Sequence, residues 1–143
     1  RFIGNPFSGV RESRRIIGEY ILTEEDVITG RRFEDSIGRC AYPIDLHDPS
    51  GKDVEFTQIS KGGFYDIPYW CLIPKGVDNL IVAGRCISCT HLALGSVRCI
   101  TGCFVTGEAA GTAAALSIKD RISIRKIKPH KLQKALRNMG AII

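Results

Sequence analysis

Residues 79–118 constrain the fold more than any other part of the chain. They read NLIVAGRCISCTHLALGSVRCITGCFVTGEAAGTAAALSI. Leu80, Ile81, Val82 and Ala83 form a short apolar, β-favouring run that stops at Gly84, and from about Val97 to Ile118 the chain has no proline and is rich in alanine. The reading is a buried strand, a loop over 84–96 and a long helix, one β-loop-α half of an open α/β sheet. Ligands of such sheets sit beyond the carboxyl ends of the strands. A helix start adds free N–H groups and a partial positive charge, which suit an anionic or electron-rich group. The chemistry is therefore expected in the loop 84–96 and the opening of the helix. Within the helix, Gly107, Ala110, Gly111, Ala114 and Ala115 recur at helical spacing. Each helical glycine costs ~1 kcal/mol against alanine, so the pattern predicts a face of close approach.

The remainder of the chain reads as mixed short elements. Residues 1–9 form a loop, and RRIIGEYIL over 14–22 is β-leaning. Thr23 with Asp26 has capping-box spacing, and three acidic residues follow the cap, which predicts a short helix ended by Gly30. Ile37, Cys40, Tyr42, Ile44 and Leu46 give a strand pattern broken by Pro43, an edge-strand signal. Residues 47–52 read as a turn in which His47 and Asp48 are solvated. Residues 56–59 and 65–73 are strand candidates, the second carrying Pro68, and Tyr69 in it reads first as a core residue. Ile122, Ile124 and Ile127 suggest an edge segment. Pro129 opens a last helix with Leu132, Ala135, Leu136 and Met139 on one face, closed by Gly140.

Charge and cysteine use narrow the function classes. Among 143 residues the net charge is +5 and the basic residues are scattered. That pattern lacks the clustered Lys/Arg with interleaved aromatics of a nucleic-acid face. Residues 99–118 are long enough for a membrane span, but their Gly, Thr and Ser content and the preceding strand favour a buried helix. The six cysteines are Cys40, Cys71, Cys86, Cys89, Cys99 and Cys103. Cys86 and Cys89 have CxxC spacing, and Cys99 and Cys103 are four apart on the expected helix. A four-cysteine metal or iron–sulfur site and a redox pair at Cys86/Cys89 both fit that spacing. Buried free thiols fit it better, because cysteine packs as a small hydrophobe. Of the polar groups in the central loop, His91 is the candidate acid–base group, since it titrates near neutrality. Arg98 is the candidate for holding an anion.

Several segments together resemble the C-terminal part of the FAD-dependent oxidoreductase family. They are Arg11-Glu12-Ser13-Arg14-Arg15, Tyr65-Asp66-Ile67-Pro68-Tyr69, Leu72-Ile73-Pro74-Lys75-Gly76, Asn79-Leu80-Ile81-Val82-Ala83-Gly84-Arg85, Ala93-Leu94-Gly95-Ser96-Val97-Arg98 and the run from Gly107 to Ala115. The family is related to the flavoprotein subunit of heterodisulfide reductase and, more distantly, to glutathione-reductase-like flavoproteins. The resemblance implies an α/β fold, the C-terminal fragment of an FAD/NAD(P)-binding Rossmann-like domain with part of a small antiparallel substrate-side sheet. It divides the chain into a substrate-side segment, 1–78, and a flavin-side strand, loop and helix with a terminal helix, 79–143. It implies FAD as cofactor, with Gly84 and Arg85 passing the ribityl and phosphate side. Backbone N–H groups of Cys99, Ile100 and Thr101 would face the flavin's pyrimidine edge, and Tyr69 and Trp70 would be contacts to flavin or substrate. The catalytic candidates, His91 and Arg98, come from the residue types of the loop itself.

The chain departs from the family pattern at Arg85, often acidic there, at Cys89, Cys99 and Cys103, usually small or apolar, and at Ile100-Thr101-Gly102, where a proline is frequent. No G-x-G-x-x-G occurs in the sequence. The expectation is therefore a fragment whose ADP-binding half lies in the N-terminal part of a longer chain, which would be its partner and without which it is inactive. A small-molecule substrate or electron-transfer partner and a cytoplasmic location complete the picture, with no nucleic-acid or membrane partner. The rivals are a structural domain that has lost its flavin and a cysteine-ligated metal or iron–sulfur protein.

Overall fold

A computed structural model describes residues 11–47, 54–60 and 63–143. Its elements are α1 (Glu24–Ile28), β1 (Ser36–Cys40), β2 (Ile44–His47), β3 (Val54–Thr57), β4 (Tyr65–Pro68), α2 (His91–Val97), α3 (Ile100–Asp120) and α4 (Pro129–Asn138), with 3-10 turns at Tyr69–Leu72, Gly84–Cys86 and Ile124–Lys126. Two antiparallel pairs, β1 with β4 and β2 with β3, make the described sheets. Pro43 therefore separates two strands of different sheets rather than marking one edge strand. The expected turn at 47–52 begins on the last residue of β2, and the rest of it lies outside the described residues, as does the loop 1–9.

Local chemistry sets several of these boundaries. Thr23 Oγ1 accepts from the Asp26 N–H (3.2 Å) and the Asp26 carboxylate accepts from the Thr23 N–H (3.0 Å), a complete capping box. The same carboxylate takes the Tyr20 hydroxyl (2.8 Å) and Arg31 (2.8 Å), although Asp26 is only 2% exposed. Pro68 ends β4 after four residues, and Tyr69 turns inward, its hydroxyl donating to the Ile124 carbonyl (3.1 Å). Tyr69 is thus a core residue. Among the described residues, the β-leaning run at 14–22 makes isolated bridges, Gly18–Pro74 and Leu22–Cys89, and no strand. Arg125 fastens that run to the turn before residue 79, bonding Glu19, Asp78 (3.0 Å) and the carbonyls of Pro74 and Val77 (2.9 Å for the latter). Pro129 opens α4 as expected, and Leu132 and Leu136 are its buried residues, while Met139 is exposed.

One core serves the whole. Leu22, Tyr65, Ile67, Leu72, Ile73, Ile87, Leu94, Leu132 and Leu136 are each at most 1% exposed. Burying each such aliphatic side chain contributes about 1.5–3 kcal/mol. Helix α3 crosses β1 at Gly38, where an added Cβ would lie 2.7 Å from Val105 Cγ1. Gly38 also has φ +153, so space and backbone both select glycine.

Two expectations about the central stretch change. Residues 80–83 are extended but join no described strand, and among their backbone amides the Val82 N–H reaches the Leu72 carbonyl (2.9 Å). No described strand lies beside them to complete a ladder. The loop 84–96 is half helical, because Thr90 caps α2 by accepting from the Ala93 N–H (3.2 Å). The chain then turns by 90° between α2 and α3. Among the described residues no single helix is long and apolar enough to cross a membrane.

The small-residue face of α3 also differs from expectation. A Cβ added at Gly107 or Gly111 would meet nothing within 4 Å, and both glycines lie on the exposed side. The packed face is Gly102, Thr106, Ala109, Ala110 and Ala113.

Candidate functional site

The α2–α3 corner places one end of a long helix beside the 3-10 turn that follows Ala83. The corner is tight because of Gly102. A Cβ there would sit 2.2 Å from the Val97 carbonyl oxygen, a distance that backbone cannot absorb by rotating a side chain. Thr106 holds the other wall. It is fully buried, accepts the Gly84 N–H (2.9 Å), and shares its hydroxyl proton with the Gly102 and Cys103 carbonyls (3.0 Å each). Gly84 has φ +77, so the turn it opens favours glycine.

An open cleft of about 500 Å³ lies where these two walls meet. Arg11, Tyr42, Asp45, Arg85, Gly95, Arg98, Cys99 and Ile100 line it. Arg98 donates to the Asp45 carbonyl (2.7 Å), and the Tyr42 hydroxyl donates to the Asp45 carboxylate (3.1 Å). Burial pushes the Arg98 pKa down; Asp45 opposes this, while the positive charges of Arg11 and Arg85 push the same way. Three guanidinium groups thus crowd one side of a hollow at the positive end of a 21-residue helix.

The expected donors at the helix start are not equivalent. The Cys99 N–H is already given to the Ser96 carbonyl (3.2 Å). Cys99 caps α3 through its sulfur, which accepts from the Gly102 N–H (3.4 Å) and lies 3.0 Å from Thr101 Oγ1. Among the described residues no acceptor is found for the Ile100 N–H, and Ile100 lines the cleft.

Of the sequence-derived site residues, Arg85, Arg98, Cys99 and Ile100 line this cleft, Gly84 braces it from behind, and Thr101 stands one residue into the helix. His91 is not brought to it. It is the first residue of α2, 64% exposed, with Nδ1 2.6 Å from Glu12, which also pairs with Arg15. Sequence reasoning missed Arg11, Tyr42, Asp45 and Thr106. Three of these come from distant segments and carry no local motif, and Thr106 is hidden by its helical setting.

The cysteines do not gather around a metal. Among the described residues no group of three or more His, Cys, Asp or Glu side chains is placed to hold one. All six cysteines are free thiols. Cys86 Sγ points to the Ala83 carbonyl (3.3 Å) and Cys89 Sγ to the Ile87 carbonyl (3.7 Å), so each half of the CxxC bonds its own loop. The iron–sulfur expectation finds no support in this arrangement.

The described helices and short antiparallel sheets place a cleft lined by arginines at a helix start, a setting that suits an anionic or electron-rich group. A family model described as FAD dependent oxidoreductase matches residues 5–136, and the chain belongs to that family. Its role is accordingly flavin-linked oxidation–reduction, with FAD as the cofactor. Searches of the curated proteins and of the solved structures return no match.

Proposed function

We propose that this chain supplies the part of an FAD-dependent oxidoreductase that holds the pyrimidine edge of the flavin, at the cleft between Gly84–Cys86 and the start of α3. The observation that carries the reading is the crowding of Arg11, Arg85 and Arg98 beside the unbonded Ile100 N–H. Arginines gathered at a helix start favour an anionic partner in the cleft. The donors here suit the electron-rich edge of a flavin, being guanidinium groups beside a helix N-terminus. Bound FAD would supply hydride or electron transfer, with charge accumulating at its pyrimidine edge on reduction. The chain's own contribution is electrostatic: Arg98, Arg85 and the α3 dipole stabilise that charge without needing to move. Arg98 is kept in place by the Asp45 carbonyl. His91 takes no part in this reading, since it bonds Glu12 outside the cleft.

The finer identity of the fold follows the same line. Ile100, Phe104, Gly107, Gly111, Ala115 and Ile118 form an exposed stripe along α3. A helix face left in this state, with the extended but unladdered residues 80–83, suits coverage by the remaining half of a Rossmann-like domain in a longer chain, which would bring the ADP-binding motif and the substrate side. The test is titration of FAD into the full-length protein, followed by flavin fluorescence. Replacement of Arg98 with alanine should weaken binding at least several-fold. Unchanged affinity in Arg98→Ala and Arg85→Ala proteins of native helicity would overturn the assignment of the cleft.

A further inference from the structure

The cleft holds a nucleophile that the flavin reading does not use. Cys99, half-buried, lines it, and directly behind lies Cys40, the last residue of β1 and only 1% exposed. The two sulfurs are 3.7 Å apart, in van der Waals contact, although 59 positions separate them in sequence. A disulfide needs about 2.05 Å, so closure asks the two side chains for a total approach of about 1.7 Å.

The surroundings of the two thiols differ. Cys99 Sγ faces Cys40, Thr101 Oγ1 and the Gly102 N–H, three groups able to donate to it. It also sits at the N-cap of α3, where a negative charge is favoured. The hydrogen bond from Cys40, with those from Thr101 and Gly102, holds the Cys99 pKa well below the usual thiol range despite the opposing effect of burial. Cys40 is moved the other way, first by its hydrogen bond to Cys99, which favours the protonated Cys40 thiol, and then by burial. A charge on Cys99 is felt by Tyr42, Tyr65 and Cys103, and Arg11, Asp45, Arg85 and Arg98 line the same cleft. Tyr65 and Ser96 lie beside the pair, with the Tyr65 hydroxyl 2.8 Å from Ser96 Oγ.

We infer that Cys99 and Cys40 form a peroxide-responsive pair, in which Cys99 is the accessible attacking thiolate and Cys40 the buried thiol that closes a disulfide. This is the arrangement of redox-sensing cysteines: an ionised, accessible thiol poised next to a second one. The Cys99 thiolate attacks one oxygen of hydrogen peroxide, forming an S–O bond and breaking the O–O bond. Hydroxide leaves and takes up a proton from solvent to become water. Cys40 then attacks Cys99 Sγ, forming the S–S bond and breaking S–O. Its proton leaves with the departing hydroxide as a second water. The two cysteines lose two electrons and the peroxide gains them. The product ties the end of β1 to the start of α3 and removes a negative charge from the cleft, and it requires no flavin.

The experiment is exposure of the reduced full chain to a few equivalents of hydrogen peroxide, capture of remaining thiols with N-ethylmaleimide, and peptide mapping by mass spectrometry under non-reducing conditions. A Cys40–Cys99 cross-linked peptide should dominate. In the Cys40→Ser protein, dimedone should label Cys99 ahead of Cys86 and Cys103, since the sulfenic acid then has no partner. In the Cys99→Ser protein, Cys40 should stay reduced. The wild-type map needs no variant to fold. If it shows Cys40 and Cys99 both capped by N-ethylmaleimide after peroxide has oxidised other cysteines, the pairing is overturned. Dominant linkage of Cys99 to Cys86 or Cys103 overturns it equally.

Discussion

Three glycines on one helix should respond to alanine with opposite signs. At Gly102 the added Cβ would meet the Val97 carbonyl oxygen at 2.2 Å, with Val97 C at 3.0 Å and Cα at 3.3 Å. Relief needs a backbone shift of roughly 1 Å at the α2–α3 corner, because the neighbour is main chain rather than a movable side chain. That shift also loosens the Gly102 N–H bond to Cys99 and the Thr106 bond to the Gly102 carbonyl. Overpacking of this kind costs roughly 2–4 kcal/mol. For a chain of this size the midpoint of thermal unfolding should fall on the order of 10 °C. Gly107 and Gly111 meet nothing within 4 Å, so alanine there keeps only its helix advantage. Each change should raise stability by about 0.5–1 kcal/mol and the midpoint by about 1–4 °C. Circular-dichroism melts of the three proteins, made on this chain alone, give the answer. A neutral Gly102→Ala, or a Gly107→Ala as damaging as Gly102→Ala, would refute the account of which face of α3 is packed.

Replacing Thr106 with valine keeps the shape but leaves the Gly84 N–H without its acceptor. Chemical denaturation should report a loss of about 1–2 kcal/mol, and flavin affinity of the full-length protein should fall with it. Asp26→Asn should destabilise by roughly 1–3 kcal/mol, since the Arg31, Tyr20 and Thr23 bonds are weakened together. Burial opposes ionisation of Asp26, but hydrogen bonds from Thr23, Tyr20 and Arg31 outweigh it and hold its pKa below the usual aspartate value. Its stabilisation is therefore complete above about pH 3.9, the unfolded value, and is lost as pH falls through the lower folded one. Acid titration should show a shallower stability loss in Asp26→Asn than in the native protein.

Legibility in the sequence followed the range of the interactions. The α1 capping box lies within Thr23–Asp26, and the Pro129 and Gly140 signals of α4 are equally local, so all three could be read directly. The α2–α3 bend could not, because Thr90 as a cap and Gly102 as a close-approach position declare themselves only once the two helices meet. The glycine spacing at 107 and 111 was conspicuous, yet the glycine that packing demands is Gly102. Attention to Gly84–Arg85 and the helix start led to two walls of the cleft. The rest, Arg11, Tyr42 and Asp45, arrives by tertiary folding, as does Cys40 against Cys99. His91 read as reactive from residue type alone, and Glu12, 79 positions away, engages it at the surface instead.

The visible spectrum of the full-length protein, purified and then supplied with FAD, tests the central claim most directly. The native protein should show a flavin band near ~450 nm, a property of the cofactor, and Arg85→Ala combined with Arg98→Ala should lose most of it at unchanged helicity. A colourless native protein after FAD addition, or a double variant that keeps its full flavin complement, would contradict the account.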